Sequence, residues 1–312
     1  MQITTGNLTF LFNAWNLQFQ AGYSETPTYW QEMATKRASS TEQESYAWAS
    51  RVPELREWFG ERKMQSIGSY IQTIVNRDFE TTVEVDRNKI LDDTYGMFDF
   101  PMRDLGRAAR KWPDRLMLNV LQNGQTQACY DGQNYFDTVH PVDKFAGQVA
   151  GANQQNYWAS GQALTFDNYQ TVRATMLAYK GEDGLPLGVT PNLLVVPPQL
   201  EVIARLICEA DSVAPQTLGL NTMVGANTNI LRGTAKVLVI PELSNQAAVW
   251  YLMDTSKGFK PFVFQERQAP QIITLRDPSS ENVFKRKKFV MGVDVRGNAA
   301  GGLWFLAAKA SA

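Results

Sequence analysis

The stretch NRDFETTVEVDRNKILDD, residues 76–93, sets the character of the chain around it. Phe79, Thr81, Val83 and Val85 fall on one face of an extended chain, and Glu80, Thr82, Glu84 and Asp86 fall on the other. A sustained period of two marks a strand with one covered face and one wet face. Just upstream, MQSIGSYIQTIV (64–75) is rich in β-branched and aromatic residues, and Asn76-Arg77-Asp78 supplies turn chemistry between the two runs. The spacing predicts a long β-hairpin over about 61–86. Such a hairpin, with a charged outer face, is marginal alone and is expected to lie against a partner surface.

Before the hairpin, GNLTFLFNAWNLQFQAGYS (6–24) sets Leu8, Leu11, Phe12, Trp15, Phe19 and Gly22 at helical spacing, with Asn7 available as N-cap. YAWASRVPELREWFGER (46–62) reads as two short helical turns broken at Pro53. Trp15, Trp30, Trp48 and Trp58 all fall in this opening region, in pieces too short to bury them alone. Tryptophan and tyrosine are enriched at interfaces, so an arm that packs on a neighbouring molecule is expected. The alternative is that these rings fold back on the chain's own core.

After the hairpin the helical period returns from Met97 to Gly124, with Met102, Leu105, Ala109, Trp112, Leu116, Val120 and Leu121 on one stripe and Gly124 as the stop. Pro113 falls inside it, which predicts a bend or a fresh start near Lys111–Asp114, with Pro113 in the first turn of the second half. A polar tract rich in Gly, Asn and Gln, 147–161, reads as a surface loop or hinge. From about 165 to 257, helical signals (FDNYQTVRATMLAYK, with an Asp cap, and PPQLEVIARLICEAD) alternate with strands (NLLVVP, TAKVLVIPEL, AAVWYLMD), giving a compact α/β unit. The remainder is β in character, with strands at FKPFVFQER, QIITLRD, VFKRKKFVMGVDVRG and GLWFLAAKA and a loop at DPSSEN. The fold class is α+β.

Composition narrows the function. A chain of 312 residues with 44% hydrophobic content can bury a sizeable core. With 30 basic against 31 acidic residues, no global field argues for wrapping nucleic acid or lying on a membrane. Two cysteines make no disulfide framework, the opening residues lack the basic n-region of a signal peptide, and no window is apolar enough to span a bilayer. Synthesis in a reducing cytoplasm is the expectation.

The stretch ACYDGQNYFDTVHPVDKFAG (128–147) holds the sole histidine, His140, together with Cys129 and Asp131, Asp137 and Asp143. A Cys129–His140 hydrolase would need an electropositive setting for the thiol, and this one is acidic. A structural zinc site wants four N or S ligands where one Cys and one His stand. The structural reading accounts for more: Asp131-Gly132 is a tight turn, His140-Pro141 an extended step, Cys129 a small buried hydrophobe, and His140 a group with a backbone or carboxylate partner. On that reading, replacing Cys129 and His140 by alanine leaves assembly intact. No phosphate loop, dinucleotide glycine pattern, zincin helix or GxSxG elbow occurs, and no cofactor or metal is called for. The densest positive run, Lys285 to Lys288, reads as a solvated or edge-protecting strand face, or as a contact for phosphates or a neighbour's acidic groups.

Several phrases together resemble one family, the major head (capsid) proteins of Mu-like phages and prophages of the gpT type. They are MQITTGNLTFLFNAWNLQFQ, LREWFGER, NRDFETTVEVDRNKILDD, CYDGQNYFDTVHP, LLVVPPQLE and GVDVRGNAAGGLWFLA, in order from end to end. The resemblance implies the Hong Kong 97-type capsid fold: an N-terminal arm (1–60), an extended loop (61–86), a peripheral domain with a spine helix (87–164), an axial domain (165–257), and peripheral strands and loop (258–312). It implies a non-enzymatic virion subunit that assembles as pentamers and hexamers into an icosahedral shell around double-stranded DNA. A separate scaffolding protein, a portal and decoration proteins would be its partners, since the sequence begins directly at the arm. Covalent cross-linking is not expected, because Asn76-Arg77-Asp78 offers no lysine and Lys63 lies at the hairpin base. Inter-subunit contacts are expected from Trp15, Phe19 and Trp30 of the arm, Tyr70, Ile71, Phe79 and Glu84 of the hairpin, and the charged Arg77, Asp78, Lys285 and Arg286. A decoration or tail protein is the alternative virion component.

Overall fold

The computed structural model describes residues 5–49, 69–92, 96–141, 153–181, 184–213, 227–275 and 281–312. The apolar stripe of the opening segment forms helix α1 (Thr5–Glu25), with Asn7 inside the helix rather than capping it. Leu8, Phe12, Trp15 and Phe19 bury that stripe, Phe12 edge-on to Phe289 and Trp15 edge-on to Phe98. A single-turn helix α2 (Trp30–Met33) runs straight into β1 (Ala34–Ala38). Next come β2 (Gln43–Ala49), β3 (Ser69–Val75), β4 (Arg77–Asp86) and the short helix α3 (Arg87–Asp92), whose first turn is capped by the Asp86 carboxylate.

The predicted hairpin exists in a different pairing. β3 pairs antiparallel with β2, from Gln43↔Val75 to Ala49↔Ser69. β4 instead pairs with a strand far along the chain, β12 (Lys288–Gly301), from Arg77↔Gly297 to Asp86↔Lys288. Asn76 is therefore not a hairpin tip but the point where the chain leaves a two-stranded ribbon and enters a sheet. Tyr46–Ala49, expected to be helical, lie on β2. The rest of that expected helical stretch, with Trp58, LREWFGER and Lys63, falls outside the described residues.

The long helix is two helices, as the proline predicts: α4 (Asp99–Arg110) and α5 (Trp112–Asn123), with Pro113 in the first turn of α5, where its missing N–H costs nothing. Gly124 is not a left-handed cap; its φ is −60° and the chain runs on as a 3-10 turn. It is glycine because a Cβ there would sit 2.6 Å from the Phe136 ring.

The α/β segment contains β5 (Tyr157–Trp158), α6 (Phe166–Leu177), β6 (Leu193–Val196), α7 (Glu201–Cys208), the two-residue pair β7 (Ser212–Val213) and β8 (Asn227–Thr228), β9 (Lys236–Val239) and β10 (Val249–Met253). The cap of α6 is Thr165, whose hydroxyl accepts from Asn168 N–H, and not an aspartate. All of β6 is buried, as expected of a strand covered on both faces. FKPFVFQER and QIITLRD form one strand, β11 (Phe262–Leu275), in which Pro270 is accommodated at a register shift. Then follow α8 (Glu281–Arg286), β12 (Lys288–Gly301) and β13 (Ala307–Ser311).

Two main sheets result, ordered β1-β11-β12-β4 and β5-β13-β10-β6-β9. The final strand departs from expectation. β13 lies between β5 and β10 in the α/β sheet, with Ala307, Ala308 and Ala310 opposite Met253, Leu252 and Trp250 of β10, and does not rejoin β11 and β12.

Candidate inter-subunit surfaces

Of the residues weighed for a thiol or metal site, Cys129 and His140 are interior structure, and Asp143 falls outside the described residues. Cys129 is buried, its Sγ 3.8 Å from the carbonyl of Gly302, and burial pushes the thiol well above its ordinary range. Gly132 takes φ +84°, as the Asp-Gly turn requires. His140 is enclosed, its Nδ1 2.6 Å from Asp131 Oδ2 and its Nε2 3.0 Å from Asn156 Oδ1. Among the described residues no group of three or more His, Cys, Asp or Glu is placed to hold a metal ion, and no helix is long and apolar enough to cross a membrane.

The candidate arm aromatics Trp15, Phe19 and Trp30 do not stand out to meet a neighbour, although Phe10 and Leu17 of α1 are exposed. Trp15 is 1% exposed and Phe19 2%, both spent on the chain's own core. Trp30 is half-buried with its ring 4.7 Å from Phe264, and its N–H donates to Asp114 Oδ1 at 2.9 Å. The period of the sequence showed that the helix has an apolar face but not what covers it, and helices α1 and α4 of the same chain cover each other.

One surface that lacks cover is the β2–β3 ribbon. Of its described side chains only Ile74 is buried, while Ile71 is 65% and Val75 49% exposed. Tyr70 lies on β3 opposite Trp48 in register. Ribbon and body meet at a polar cluster beside the buried Ile74. Gln265 of β11, with no exposed surface, accepts from the Tyr46 hydroxyl at 2.9 Å and donates to the Ile74 carbonyl at 3.2 Å and to Asn76 Oδ1 at 2.7 Å. Asn76 in turn donates to Ser39 Oγ at 2.8 Å and the Thr41 carbonyl at 2.9 Å. Glu44 accepts from Ser39 Oγ and from the N–H groups of Ser40 and Thr41, which hold its carboxyl down at about 2. Sequence reasoning missed this cluster. Its one signal is a glutamine set within the buried run FVFQ.

The charged candidates lie at both ends of β4. Arg77 and Asp78 are exposed, Arg77 with its guanidinium 5.9 Å from the Phe79 ring and Asp78 with its carboxylate 2.9 Å from Arg296. Phe79 itself is half-buried, 5.6 Å edge-on to Trp112. Glu84 pairs with Lys288 across the sheet, which lowers its carboxyl below the usual range, so its partner belongs to the same chain. The basic run is not a strand face. Lys285 and Arg286 end α8, Lys287 turns with φ 53°, and only Lys288 enters β12. Lys285, Arg286 and Lys287 are exposed. A second unforeseen apolar surface is the outer side of α7, where Val202 and Leu206 are exposed and Asn229, donating to the carbonyls of Leu206, Ile207 and Ala210, sets the exposed Ile230 at the same helix end.

A family model described as Mu-like prophage major head subunit gpT matches residues 8–157, 150–243 and 242–312. The Mu-like prophage FluMu major head subunit of Haemophilus influenzae is 29% identical over 305 residues, spanning 98% of this chain and 73% of that protein. The major capsid protein of Escherichia phage Mu is 27% identical over 307 residues, spanning 98% and 74%. In the procapsid of bacteriophage JBD30, a chain 26% identical superposes with a TM-score of 0.62 over 99% of this chain and 76% of that one. In the capsid of the same phage decorated with minor capsid protein trimers, the TM-score is 0.54 at 26% identity, over 77% and 99%. A Hong Kong 97-type architecture with an uncovered ribbon, and a match that runs through both sheets, place the chain in the family of Mu-like prophage major head subunits gpT, the major capsid proteins of tailed phages.

Proposed function

We propose that this virion shell subunit assembles as pentamers and hexamers into an icosahedral shell around double-stranded DNA, each copy laying its β2–β3 ribbon across a neighbour. The observation that carries the reading is the ribbon: among the described side chains of its two strands a single one, Ile74, is buried in its own subunit. An isolated two-stranded ribbon does not repay its ordering entropy, and a second surface does. At ~25 cal/mol per Å² of apolar area, covering Ile71 and Val75 is a small gain per copy, and it accumulates because every subunit makes the contact more than once in a closed shell. Tyr70, Ile71, Arg77 and Asp78 are the proposed contacts of the ribbon and its root, with Phe79 and Glu84 stiffening that root from within. Lys285 and Arg286 offer positive charge to a neighbour or to DNA phosphates.

The proposed peripheral unit is residues 87–164 apart from β5, with the long strands β11 and β12, and the proposed axial unit is 165–257 with β5 and β13 added to its sheet. A separate scaffolding protein, a portal and decoration proteins complete the proposed partners.

The test replaces residues 46–72 by Asn-Gly, joining Ser45 to Thr73, which face each other in the ribbon register. The subunit keeps its fold by circular dichroism and forms no closed shells by electron microscopy. Normal shells from this variant would remove the ribbon from the account.

A further inference from the structure

We infer that Gln265, with Asn76, is a positioning residue for assembly: it sets the angle at which the β2–β3 ribbon leaves the body of the subunit. The inference rests on the ribbon lying on a neighbouring copy. Gln265 sits where three strands meet, opposite Arg37 of β1 and Asn298 of β12. Its amide is the only buried side chain of the described residues that bonds both strands of the ribbon, through Tyr46 Oη of β2 and the Ile74 carbonyl of β3. Asn76, 7% exposed, extends the grip to Ser39 and Thr41, and the Asn298 amide holds the Val75 carbonyl at 2.8 Å.

Apolar contacts are non-directional and allow sliding, whereas hydrogen bonds weaken steeply away from linearity. A ribbon held at its root by one buried apolar side chain and a cluster of amides is thus held at a defined angle. A small change of angle at the root moves the far end of the ribbon by a larger distance, so the cluster governs where the ribbon meets the next subunit. The cluster's members are joined to one another, Gln265 to Asn76, Asn76 to Ser39 and Ser39 to Glu44, so it holds or releases as a unit.

The test compares the full chain with Gln265→Leu, which keeps the volume and removes the hydrogen bonds, and with Tyr46→Phe, which removes one bond at the ribbon's edge without touching the body. Unassembled subunits are read by thermal unfolding and by amide exchange over 43–49 and 69–75, and assembled products by particle diameter. For Gln265→Leu the unfolding midpoint stays within a few degrees, exchange in the ribbon rises at least tenfold, and particles become heterogeneous in diameter or open into sheets. Tyr46→Phe shifts the same readings in the same direction by less, and serves alone if Gln265→Leu does not fold. Unchanged exchange and uniform particles of normal diameter would overturn the inference. The ribbon-shortened subunit separates the two claims. If it assembles normally, the ribbon reading fails; if it cannot assemble while Gln265→Leu assembles normally, only the positioning role fails.

Discussion

The imidazole of His140 lies flat on the indole of Trp304, ring centroids 4.1 Å apart and planes within 5° of parallel. The contact joins the 128–140 connector to the turn that leads into β13. Asn156 completes it. Its amide nitrogen donates to the carbonyls of Tyr135, Trp304 and Ala307, which fixes its oxygen toward His140 Nε2 and the Asp137 N–H. His140→Ala therefore leaves a cavity and removes the imidazole from Asp131 Oδ2, while Oδ1 keeps the Gln133 N–H, and costs about 2–4 kcal/mol in equilibrium denaturant unfolding. The double alanine replacement then tests stability as much as chemistry. The unmixed test of a thiol role is Cys129→Ala, which leaves assembly intact by electron microscopy.

Helices α1 and α4 touch through glycine. A Cβ on Gly22 would lie 2.0 Å from the Arg103 carbonyl oxygen, and one on Gly106 would lie 2.1 Å from that of Phe19. Backbone cannot yield as a side-chain tip does. Either glycine replaced by alanine forces the helices apart and costs about 3 kcal/mol, read as a lower denaturation midpoint with the pair Glu25–Arg103 and Glu25–Arg107 disrupted.

Lys309 of β13 points its ammonium at the carbonyls of Leu121 and Gln122 and at Gln125 Oε1, at the C-terminal end of α5, among the rings of Phe136, Tyr157 and Tyr251. Oxygens and π faces favour the cation, but among the described residues no carboxylate joins them, and burial brings the amine down to about 8. Between that value and the ordinary lysine range the unfolded chain binds more protons than the folded one, so this group makes stability rise as pH climbs from about 8 to about 10. Lys309→Met abolishes that rise in unfolding midpoints measured across the range. An equal rise in the variant would assign it elsewhere.

Asp114, in the first turn of α5, accepts the N–H groups of Tyr29 and Trp30 at 3.1 and 2.9 Å and so caps α2 from another helix. Burial outweighs those bonds and lifts its carboxyl to about 6. Between about pH 4 and 6 the folded chain holds the extra proton, so stability contributed here declines as pH rises through that window. Asp114→Asn keeps an acceptor and sheds the buried charge, and is expected to match or exceed the parent's melting point at pH 7. Asp114→Leu orphans two N–H groups and costs about 2–3 kcal/mol.

Several local signals in the sequence were sound, while the caps assigned to Asn7 and Gly124 and the helix expected at Tyr46–Ala49 were not. The alternation from Phe79 to Asp86 makes a strand, Pro113 restarts a helix, and Asp131-Gly132 makes a turn. Pairing is not local. Nothing within 69–86 says that Val85 faces Phe289, or that Ser69 returns to Ala49, so adjacent strands with turn-forming residues between them read as a hairpin. Trp15 and Phe19 show the same limit. Their spacing announced a buried stripe, and whether a neighbour or α4 buries it depends on a contact between segments far apart. Arg77 and Asp78, read as turn residues, and Ile71 of the strand before them are exposed. The role of Gln265 was not legible, because one polar residue in an apolar strand looks the same whether it is strained, wet or gripping another element.

The central claim is that the ribbon is completed by a neighbouring copy, and a cryo-EM map of assembled shells tests it most directly. The account predicts Ile71 and Val75 within about 4 Å of apolar atoms of an adjacent subunit, with the Gln265–Asn76 contact retained at the ribbon's root. A shell in which the β2–β3 ribbon projects into solvent, touching no other copy, would contradict it.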